Sequence, residues 1–277
     1  MCIDMDGTLL NSKKRISDYT KASIKKAHDM GVHIVVSTGR LYSDAEVFSD
    51  LIGVKSPIIA SNGAVVRGIE KNDIIHKSIF GEELCNKLLN IFAKCNIQPI
   101  FNTPEKIYTG SIKYKLFIEQ IKLKGAISKN VKIQYVFSLK QWSKIFSHEK
   151  NNIVKCEVIT IDKEKLHQVG KELESIKELE LVNSTDHNIE ITRKGVSKGN
   201  GAKILSDYFK IKREEIIAVG DSGNDVSMIE FAGLGVAMGN AMEQAKQVAD
   251  YVTDTNDNDG VAKVIDKFVL QKESQSA

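Results

Sequence analysis

The stretch IIAVGDSGND (216–225) joins a short apolar run to a polar turn and the start of a helix. The β-branched run is typical of a buried strand, and Asp221 stands at its end. Asn224 and Asp225 follow where a helix would begin, since their side chains accept hydrogen bonds from the first amides of a helix. The stretch is therefore either an ordinary capped loop or a strand end that presents carboxylates to a ligand.

Predicted strands and helices alternate on both sides of this stretch. VHIVVSTG (32–39) and PIIASNG (57–63) are short, apolar and closed by turn-forming residues, as buried strands are. Residues 17–30 have the pattern of a helix that begins at the N-cap Ser17 and stops at Gly31. Repeated β–α units predict an α/β fold, a mostly parallel sheet with helices on both faces.

Two local features complete the outline of the chain. AVVRG (64–68) and DIIHKSI (73–79) flank the turn-forming residues 69–72 and are predicted to form a hairpin. The tail QKESQSA (271–277) is predicted to fray. The sequence contains no internal repeat and no low-complexity linker.

The middle of the chain differs from both ends. Helices and strands still alternate there, but Lys and aromatic residues accumulate, and we expect most of these aromatics to form a core. We therefore predict an inserted α/β domain over 82–186, with 1–81 and 187–277 forming the main domain. NIEIT (188–192) is predicted to be a strand of the main domain. The aromatics are Tyr108, Tyr114, Phe117, Tyr135, Phe137, Trp142 and Phe146.

Composition excludes several classes of protein. Hydrophobic residues make up 42% of the 277 residues, but no apolar run approaches the ~20 residues that cross a membrane. Asp4 and Asp6 interrupt any secretory signal, and four cysteines without a CxxC pair do not form a disulfide framework. We therefore expect a cytoplasmic protein.

The net charge of +3 is too small to indicate a nucleic-acid partner. The charge is uneven, however, because residues 101–155 contain eleven Lys and three Glu. This excess is either a solvated surface or a field that attracts an anionic substrate. We expect a small-molecule partner, no nucleic acid and no membrane; the sequence leaves the oligomeric state open.

Four polar clusters follow predicted strands or begin predicted helices. They are DMDGT (4–8), STGR (37–40), SKGNG (197–201) and GDSGND (220–225). In a parallel sheet the carboxyl ends of the strands share one edge, where ligands bind. Each cluster alone is commonplace, but together they predict a single site at this edge.

The residue types in these clusters suit phosphate and a hard cation. Asp4 and Asp6, two apart on a strand, can point the same way and either share a proton or bind Mg²⁺. Asp221 can add a third carboxylate to such a site. Thr38 and Gly39, Lys198 and Asn224 can donate to phosphate oxygens.

A metal-loop motif elsewhere is rejected. TDTNDNDG (253–260) has acids at some offsets of a calcium loop, but Thr255 occupies the first ligand position and Asp266 the last, where Glu is required. The segment is interpreted as a turn. The six histidines have no zinc-ligand spacing.

In this order the four clusters resemble the haloacid dehalogenase (HAD) superfamily. DMDGT matches its first motif, Thr38 its second, Lys198 its third and GDSGND its fourth. SNGA (61–64), VAMGNA (236–241) and DGV (259–261) resemble the Cof-type branch, subfamily IIB. The resemblance implies a Rossmann-like core with an inserted α/β cap, and it covers the cap only by size and position.

The resemblance implies a Mg²⁺-dependent phosphatase of small phosphorylated metabolites, with sugar phosphates the leading class. It assigns Asp4 as the nucleophile that forms an aspartyl-phosphate and Asp6 as the general acid and base. The remaining implied roles are metal binding by Asp4, Asp6 (through its carbonyl) and Asp221, phosphate binding by Met5, Thr38, Gly39, Lys198 and Asn224, support of the metal's water shell by Asp225, and substrate contact by Arg40 and Asn62.

Two other functions fit the same motifs. A phosphotransferase or phosphomutase would pass the phosphoryl group to an acceptor other than water, and a catalytically silent regulator would only bind a phosphometabolite. The intact acids, Lys198 and Asp221 count against the regulator. Family members usually have several more apolar residues before the first aspartate, whereas only Met1, Cys2 and Ile3 precede Asp4. We nevertheless predict that this first strand is central and paired on both sides.

Overall fold

A computed structural model describes residues 1–70, 73–183, 185 and 187–271. The chain forms two compact units, each with its own sheet. The first unit contains Met1–Gly39, Ala45–His76 and Ser197–Ala277, and the second contains Arg40–Asp44 and Lys77–Val196. The mixed α/β class predicted from the sequence is confirmed.

The first sheet has eight strands, and five of its pairings are parallel. Its strands are β1 (Cys2–Asp4), β2 (Val35–Ser37), β3 (Ile58–Ala60), β4 (Val65–Arg67), β5 (Ile74–Lys77), β12 (Ile217–Gly220), β13 (Leu234–Ala237) and β14 (Tyr251–Val252). Their order in space is β14-β13-β12-β1-β2-β3-β4-β5. The chain order reverses direction at β1, and in such sheets ligands bind beyond the carboxyl ends of the strands at this point.

Strand β1 is short but central. Cys2 pairs with Ala218 on one side and with Val35 on the other, and both pairings are parallel. The N-terminal ammonium of Met1 donates to the carbonyl of His33. The prediction of a central strand paired on both sides is therefore confirmed, and Asp4 lies at its carboxyl end.

The helices of the first unit include α1 (Asp18–Asp29), α2 (Tyr42–Asp50, whose first turn lies in the second unit), α7 (Lys198–Phe209), α8 (Val226–Phe231), α9 (Glu243–Val248) and α10 (Gly260–Ile265). Two of these helices, α1 and α7, begin with serine side-chain caps. The Ser17 and Ser197 side chains accept from the amides of Thr20 and Asn200, which fixes the first turns of α1 and α7. A β-carbon on Gly201 would lie 2.6 Å from Ile59 Cγ2, so α7 approaches β3 more closely than a larger residue would permit.

Among its described residues, the second unit has its own six-stranded sheet and four helices. The strands are β6 (Ile100–Asn102), β7 (Lys106–Thr109), β8 (Lys132–Tyr135), β9 (Lys155–Ile159), β10 (Leu179–Val182) and β11 (Asn188–Arg193), in the order β10-β11-β9-β6-β7-β8. The helices are α3 (Glu82–Lys94), α4 (Ile112–Leu123), α5 (Leu139–His148) and α6 (Lys163–Glu174). Trp142 and Phe146 pack against Phe101 in the core with tilted and edge-on rings, as expected, whereas Phe117 and Phe137 are more than half exposed.

Strand β11 lies in the second sheet and not, as the sequence suggested, in the main domain. It pairs antiparallel with β9 and β10, for example through Glu190 with Glu157. The apolar alternation of NIEIT predicts a strand but does not specify its neighbours, which depend on tertiary packing. The boundary between the compact units accordingly lies at Val196–Ser197 and not at the predicted 186–187.

The remaining sequence predictions are local. Asp257 accepts from the Ser12 amide and Asp259 from Thr20 Oγ1, so the rejected calcium loop ties the C-terminal segment to the start of the chain. The predicted hairpin strands are β4 and β5, while residues 71–72 of its turn and residues 272–277 of the predicted frayed tail lie outside the described residues. Within the described ranges, no helix is long and apolar enough to cross a membrane.

Candidate active site

The first unit brings three of the four polar clusters together in a buried ionic network. Asp4 ends β1, Asp221 follows β12, and Lys198 opens α7. Lys198 Nζ lies 2.6 Å from Asp4 Oδ1 and 2.6 Å from Asp225 Oδ1. Lys198 is 1% exposed, so this ammonium is fully desolvated and depends on both carboxylates.

Asp225 organises the loop that follows β12. Its Oδ2 accepts from the backbone amides of Asp221 and Ser222, each at 2.9 Å, while its Oδ1 accepts from Lys198. A β-carbon on Gly220 would lie 2.4 Å from the Asp225 β-carbon, so this close return of the loop requires glycine. Both carboxylate oxygens of Asp225 are thus used within the protein.

The turn after β1 is shaped around Asp221. Gly7 has a φ of +82°, and a β-carbon there would lie 2.5 Å from Asp221 Oδ2. The neighbouring Thr8 hydroxyl donates to Asp221 Oδ1 at 2.9 Å. Glycine at position 7 therefore permits both the turn and the close approach of the Asp221 carboxylate, and the Thr8 hydroxyl orients that carboxylate.

The buried carboxylates shift one another's pKa values. The pKa of Asp4 is raised well above its ordinary value by burial and by the charge of Asp225, which outweigh the opposing effect of Lys198. Burial and the charge of Asp225 raise the pKa of Asp221 to about 6. Burial lowers the pKa of Lys198, but the charges of Asp225 and Asp4 more than compensate and raise it.

This cluster has the composition of a hard-cation site. Carboxylate oxygens of Asp4, Asp221 and Asp225 lie within 4.8 Å of one another. Asp4 Oδ2 is buried and has no hydrogen-bond partner among the described residues. Three carboxylates and one ammonium leave a deficit of two positive charges, which is the charge of one Mg²⁺. The oxygen donors, the unsatisfied acceptor and the charge therefore all fit Mg²⁺.

Asp6 differs from Asp4 in environment. Its Oδ1 accepts from Lys14 Nζ at 2.8 Å, and its side chain is 38% exposed. Asn11 holds the loop that carries Lys14, since its Oδ1 accepts from the amides of Lys13 and Arg15. The two acids of DMDGT thus occupy different surroundings, one buried and one facing solvent.

The other predicted phosphate donors follow β1, β2 and β12, three strands that neighbour one another in the sheet. Thr38 is buried, its amide donates to the Ile59 carbonyl, and its own carbonyl accepts from the amide of Asn62. Asn224 Nδ2 donates to Asn62 Oδ1 at 3.0 Å. Met5 is buried, and Gly39 is half-buried directly after Thr38.

Arg40 is assigned to the second unit. One of its guanidinium nitrogens donates to Asp44 Oδ2 at 2.8 Å and to the Ala126 carbonyl at 3.2 Å. Asp44 Oδ1 in turn accepts from the Ser128 amide. Arg40 is therefore held within the second unit, and its predicted substrate contact remains a prediction.

Sequence reasoning missed several residues of this region. Thr8 lies inside the quoted DMDGT cluster but was given no role, and Ser222, whose hydroxyl donates to Asn224 Oδ1, lies inside GDSGND. Their position within the clusters was a usable signal. Asn240, which donates to the Gly7 carbonyl, lies inside the quoted VAMGNA motif, whereas Lys14 lies outside every quoted motif and carried no such signal.

A Rossmann-like sheet with lysine-linked carboxylates at the end of its central strand defines a phosphoryl-transfer hydrolase. The chain belongs to the haloacid dehalogenase-like hydrolases, whose family model matches residues 1–265. It is a phosphatase of this family. The resemblance inferred from the motifs is confirmed.

Individual relatives match along nearly the whole chain. Phosphatase YwpJ of Bacillus subtilis is 34% identical, with 96% of this chain and 98% of the relative covered. The 5-amino-6-(5-phospho-D-ribitylamino)uracil phosphatase YcsE of Bacillus subtilis is 32% identical over 98% of this chain and 95% of its own. The solved structure of the HAD subclass IIB sugar phosphatase BT4131 is 27% identical, has a TM-score of 0.77, and covers 96% of this chain and 97% of its own.

Proposed function

We propose that the protein is a Mg²⁺-dependent phosphatase of small phosphorylated metabolites, sugar phosphates above all, that works through an aspartyl-phosphate on Asp4. The observation that carries the proposal is the Lys198–Asp4 contact of 2.6 Å beside Asp221, with Asp4 Oδ2 left without a donor. A carboxylate held in this way is oriented yet retains an oxygen for chemistry. The ribityl phosphate and sugar phosphate substrates named for two relatives support the substrate class.

In the first step a carboxylate oxygen of Asp4 attacks the phosphorus of the ester. The bond between phosphorus and the alcohol oxygen breaks, and the Asp6 carboxylic acid donates its proton to that oxygen. The products are the free alcohol, an aspartyl-phosphate and the Asp6 carboxylate. The partial exposure of Asp6 suits a group that exchanges protons with the leaving alcohol and with water.

In the second step the Asp6 carboxylate removes a proton from water, whose oxygen attacks the phosphorus of the aspartyl-phosphate. The bond from phosphorus to the Asp4 oxygen breaks, which releases inorganic phosphate and restores the Asp4 carboxylate. Asp6 is left protonated and ready for the next ester. The two steps together consume one water and leave the enzyme unchanged.

Binding of the phosphoryl group is assigned to the groups that border Asp4. Lys198 supplies a buried positive charge, and Thr38, Gly39, Asn224 and the Met5 amide supply hydrogen-bond donors. Mg²⁺ would be held by Asp4, Asp221 and the backbone carbonyl of Asp6, with Asp225 supporting its water shell, and it neutralises charge on the phosphoryl oxygens when bound. Residues 82–186 act as the cap that selects the leaving group.

A burst experiment with p-nitrophenyl phosphate tests the two carboxylate roles separately. This ester has a leaving group that departs without a proton, so the first step does not need Asp6. In 5 mM Mg²⁺ we expect Asp6→Asn to release about one equivalent of nitrophenolate and then stall, because the second step lacks its base. Asp4→Asn should release none, and the exposed-site control Asp207→Asn should turn over like the wild type.

The same assay separates the competing functions. A phosphotransferase or mutase would turn over only when an acceptor is supplied, and it would then release nitrophenolate without stoichiometric inorganic phosphate. A silent regulator would bind phosphate esters but release no nitrophenolate with or without Mg²⁺. Equal turnover by Asp4→Asn and the wild type would show that Asp4 is not the nucleophile.

A further inference from the structure

A groove on the second unit runs between α6 and the edge of the sheet that α6 covers. Helix α6 packs on β10, the edge strand of this sheet, and on β11 beside it. The groove has a volume of about 630 Å³, and all the residues that line it belong to the second unit. This volume is within the range of pockets that hold small molecules. We call it the α6 groove.

The floor of the α6 groove is apolar. Leu181 of β10 and Ile189 of β11 belong to the face of the sheet that α6 covers, and Leu166 of α6 packs against the same core. Ile189 is buried, but Leu166 and Leu181 are only half-buried, so part of their apolar surface faces the groove. Such a floor favours a ligand that brings apolar surface of its own, because contact removes both surfaces from water.

The rim of the α6 groove is basic. Lys163, His167 and Lys171 follow one another at intervals of four along α6, so their side chains share one face of the helix. All three are exposed, and their side chains have no hydrogen-bond or ion-pair partner among the described residues. The rim also carries Glu174 and Asn183, so that two lysines and one glutamate leave it with a net positive charge.

Gly170 lies in the interior of α6 and leaves the groove open. Glycine at such a position makes a helix less stable than alanine does. The packing does not require glycine here, because a β-carbon would meet only Ile189 Cδ1 among the described residues, at an ordinary contact distance of 3.6 Å. A larger side chain at this lining position would occupy part of the groove. A local loss of stability without a packing reason is typical of a functional position.

Exposed lysines on a helix are usually only solvated, and a basic rim alone would carry no further meaning. Here the rim borders an apolar floor that an interior glycine leaves uncovered. From this combination we propose that the α6 groove binds a small organic anion, whose apolar body lies on the floor and whose anionic group is held by the basic rim. The site is additional to the proposed phosphatase site, since it uses no residue of the buried carboxylate network.

Both parts of the ligand follow from the groove. An inorganic anion would gain only the attraction of exposed charges, which water and salt weaken, and it would leave the floor uncovered. A neutral apolar molecule would cover the floor but gain nothing from the rim. A ligand with an apolar body and an anionic group combines the burial of apolar surface with electrostatic attraction.

Two fluorescent dyes form matched probes of the groove. They are anilinonaphthalene sulfonate and phenylnaphthylamine, which is the same dye without the sulfonate. In fluorescence titrations we expect Lys163→Gln and Lys171→Gln each to raise the Kd of the sulfonate dye by about threefold or more and to leave that of the neutral dye unchanged. Lys165→Gln is the control, because it removes a charge from another face of α6, where Lys165 lies 4.0 Å from Asp162. It should change neither Kd.

Gly170→Leu tests the groove without weakening the helix. Leucine favours a helix more than glycine does, so the urea midpoint should stay the same or rise. The leucine side chain would fill part of the floor, and we expect the Kd of both dyes to rise by about fivefold or more. A loss of affinity at an unchanged or higher urea midpoint does not come from unfolding.

Three outcomes overturn the inference. The first is a wild type that does not bind the sulfonate dye. The second is a Gly170→Leu variant that binds both dyes as the wild type does, which would place the dyes on another surface. The third is an unchanged Kd of the sulfonate dye in both Lys163→Gln and Lys171→Gln, which would reject the anionic class of ligand.

Discussion

The Lys198 ammonium lies 2.6 Å from Asp4 Oδ1, although 194 positions separate the two residues in the chain. The contact depends on where α7 begins, since Lys198 is its first residue and Ser197 is its cap. It also depends on how closely α7 approaches α8, because a β-carbon on Gly199 would lie 2.2 Å from the Ser227 carbonyl oxygen. Helix start, helix packing and strand end together place one positive charge between two buried carboxylates.

Replacing Lys198 should affect both stability and activity. Lys198→Gln leaves Asp4 and Asp225 buried without their cation, so we expect the free energy of unfolding to fall by about 3 kcal/mol in urea titrations. Turnover of p-nitrophenyl phosphate should fall by about 10²- to 10³-fold, as when a preorganised charge is removed from a transition state.

Lys203→Gln is the matched control for Lys198→Gln, because it removes an exposed ion pair with Asp207 from the same helix. We expect it to change stability by less than about 0.5 kcal/mol and turnover hardly at all. If both lysine variants are as stable as the wild type, the buried network does not contribute to folding in the way described.

Asp221 should make the metal-free protein less stable as the pH rises. Its pKa is about 6 in the folded protein, above the ordinary 3.8, so the folded state holds a proton that the unfolded state has already lost. The stabilisation is complete below about pH 4 and is lost as the pH rises through about 6. As the pH rises from 4 to 8 in EDTA, we expect the free energy of unfolding of Asp221→Asn to gain about 2 kcal/mol relative to that of the wild type.

Magnesium should narrow the stability difference between Asp221→Asn and the wild type at pH 8. Mg²⁺ at 10 mM should raise the unfolding midpoint of the wild type and raise that of Asp221→Asn much less, since the variant lacks one carboxylate ligand. Asp207→Asn, with an exposed carboxylate, should respond to pH and Mg²⁺ as the wild type does. An Asp221→Asn variant that gains no stability toward pH 8 would contradict the raised pKa.

The sequence predicted the elements of the first unit and three clusters of its site for a common physical reason. Strand ends in a parallel sheet meet at one edge, so Asp4 and Asp221 could be placed together without knowing any distance. Lys198 was predicted at the start of a helix, where its charge and the free amides suit an anion. The sequence did not predict that Asp225 accepts from two amides and from Lys198. Those contacts depend on how the loop folds back at Gly220.

Two other features were beyond the reach of sequence patterns. The alternation in NIEIT indicates a strand but not its pairing partner, and so β11 was assigned to the wrong sheet. The contact of Lys14 with Asp6 joins two half-exposed residues through an irregular loop, and exposed contacts leave no periodic signal. The contacts of Lys155 with Glu157 and Glu190 likewise depend on the register of neighbouring strands, which the sequence does not specify.

Gly7→Ala should reduce activity mainly through Asp221. The added β-carbon would lie 2.5 Å from Asp221 Oδ2, and the alanine backbone would have to adopt a φ of +82°. We expect turnover to fall by at least about 10²-fold, because displacement of a carboxylate proposed to bind Mg²⁺ would disturb the site proposed to orient the phosphoryl group. Mg²⁺-dependent stabilisation should fall in parallel, measured as the shift of the unfolding midpoint.

Gly31→Ala separates the effect of the clash from the effect of backbone strain. Gly31 has a φ of +89°, but a β-carbon there would meet no atom of the described residues within 4 Å. Both glycine variants should therefore lose about 1 kcal/mol from the left-handed backbone, whereas only Gly7→Ala should lose turnover. Equal turnover in the two variants would argue against a role of Gly7 in positioning Asp221.

Asn62 offers a test of phosphate-donor alignment that is independent of the buried charges. It has a φ of +58°, and its Oδ1 accepts from Asn224 Nδ2, one of the proposed phosphate donors. Asn62→Gly keeps the backbone conformation and removes this hydrogen bond, whereas Asn62→Ala removes the bond and adds about 1 kcal/mol of strain. We expect both variants to raise KM for p-nitrophenyl phosphate by about tenfold, while only the alanine variant unfolds at lower urea. A KM that rises in Asn62→Ala but not in Asn62→Gly would assign the effect to the backbone, and Asn224 would then not need Asn62 for its alignment.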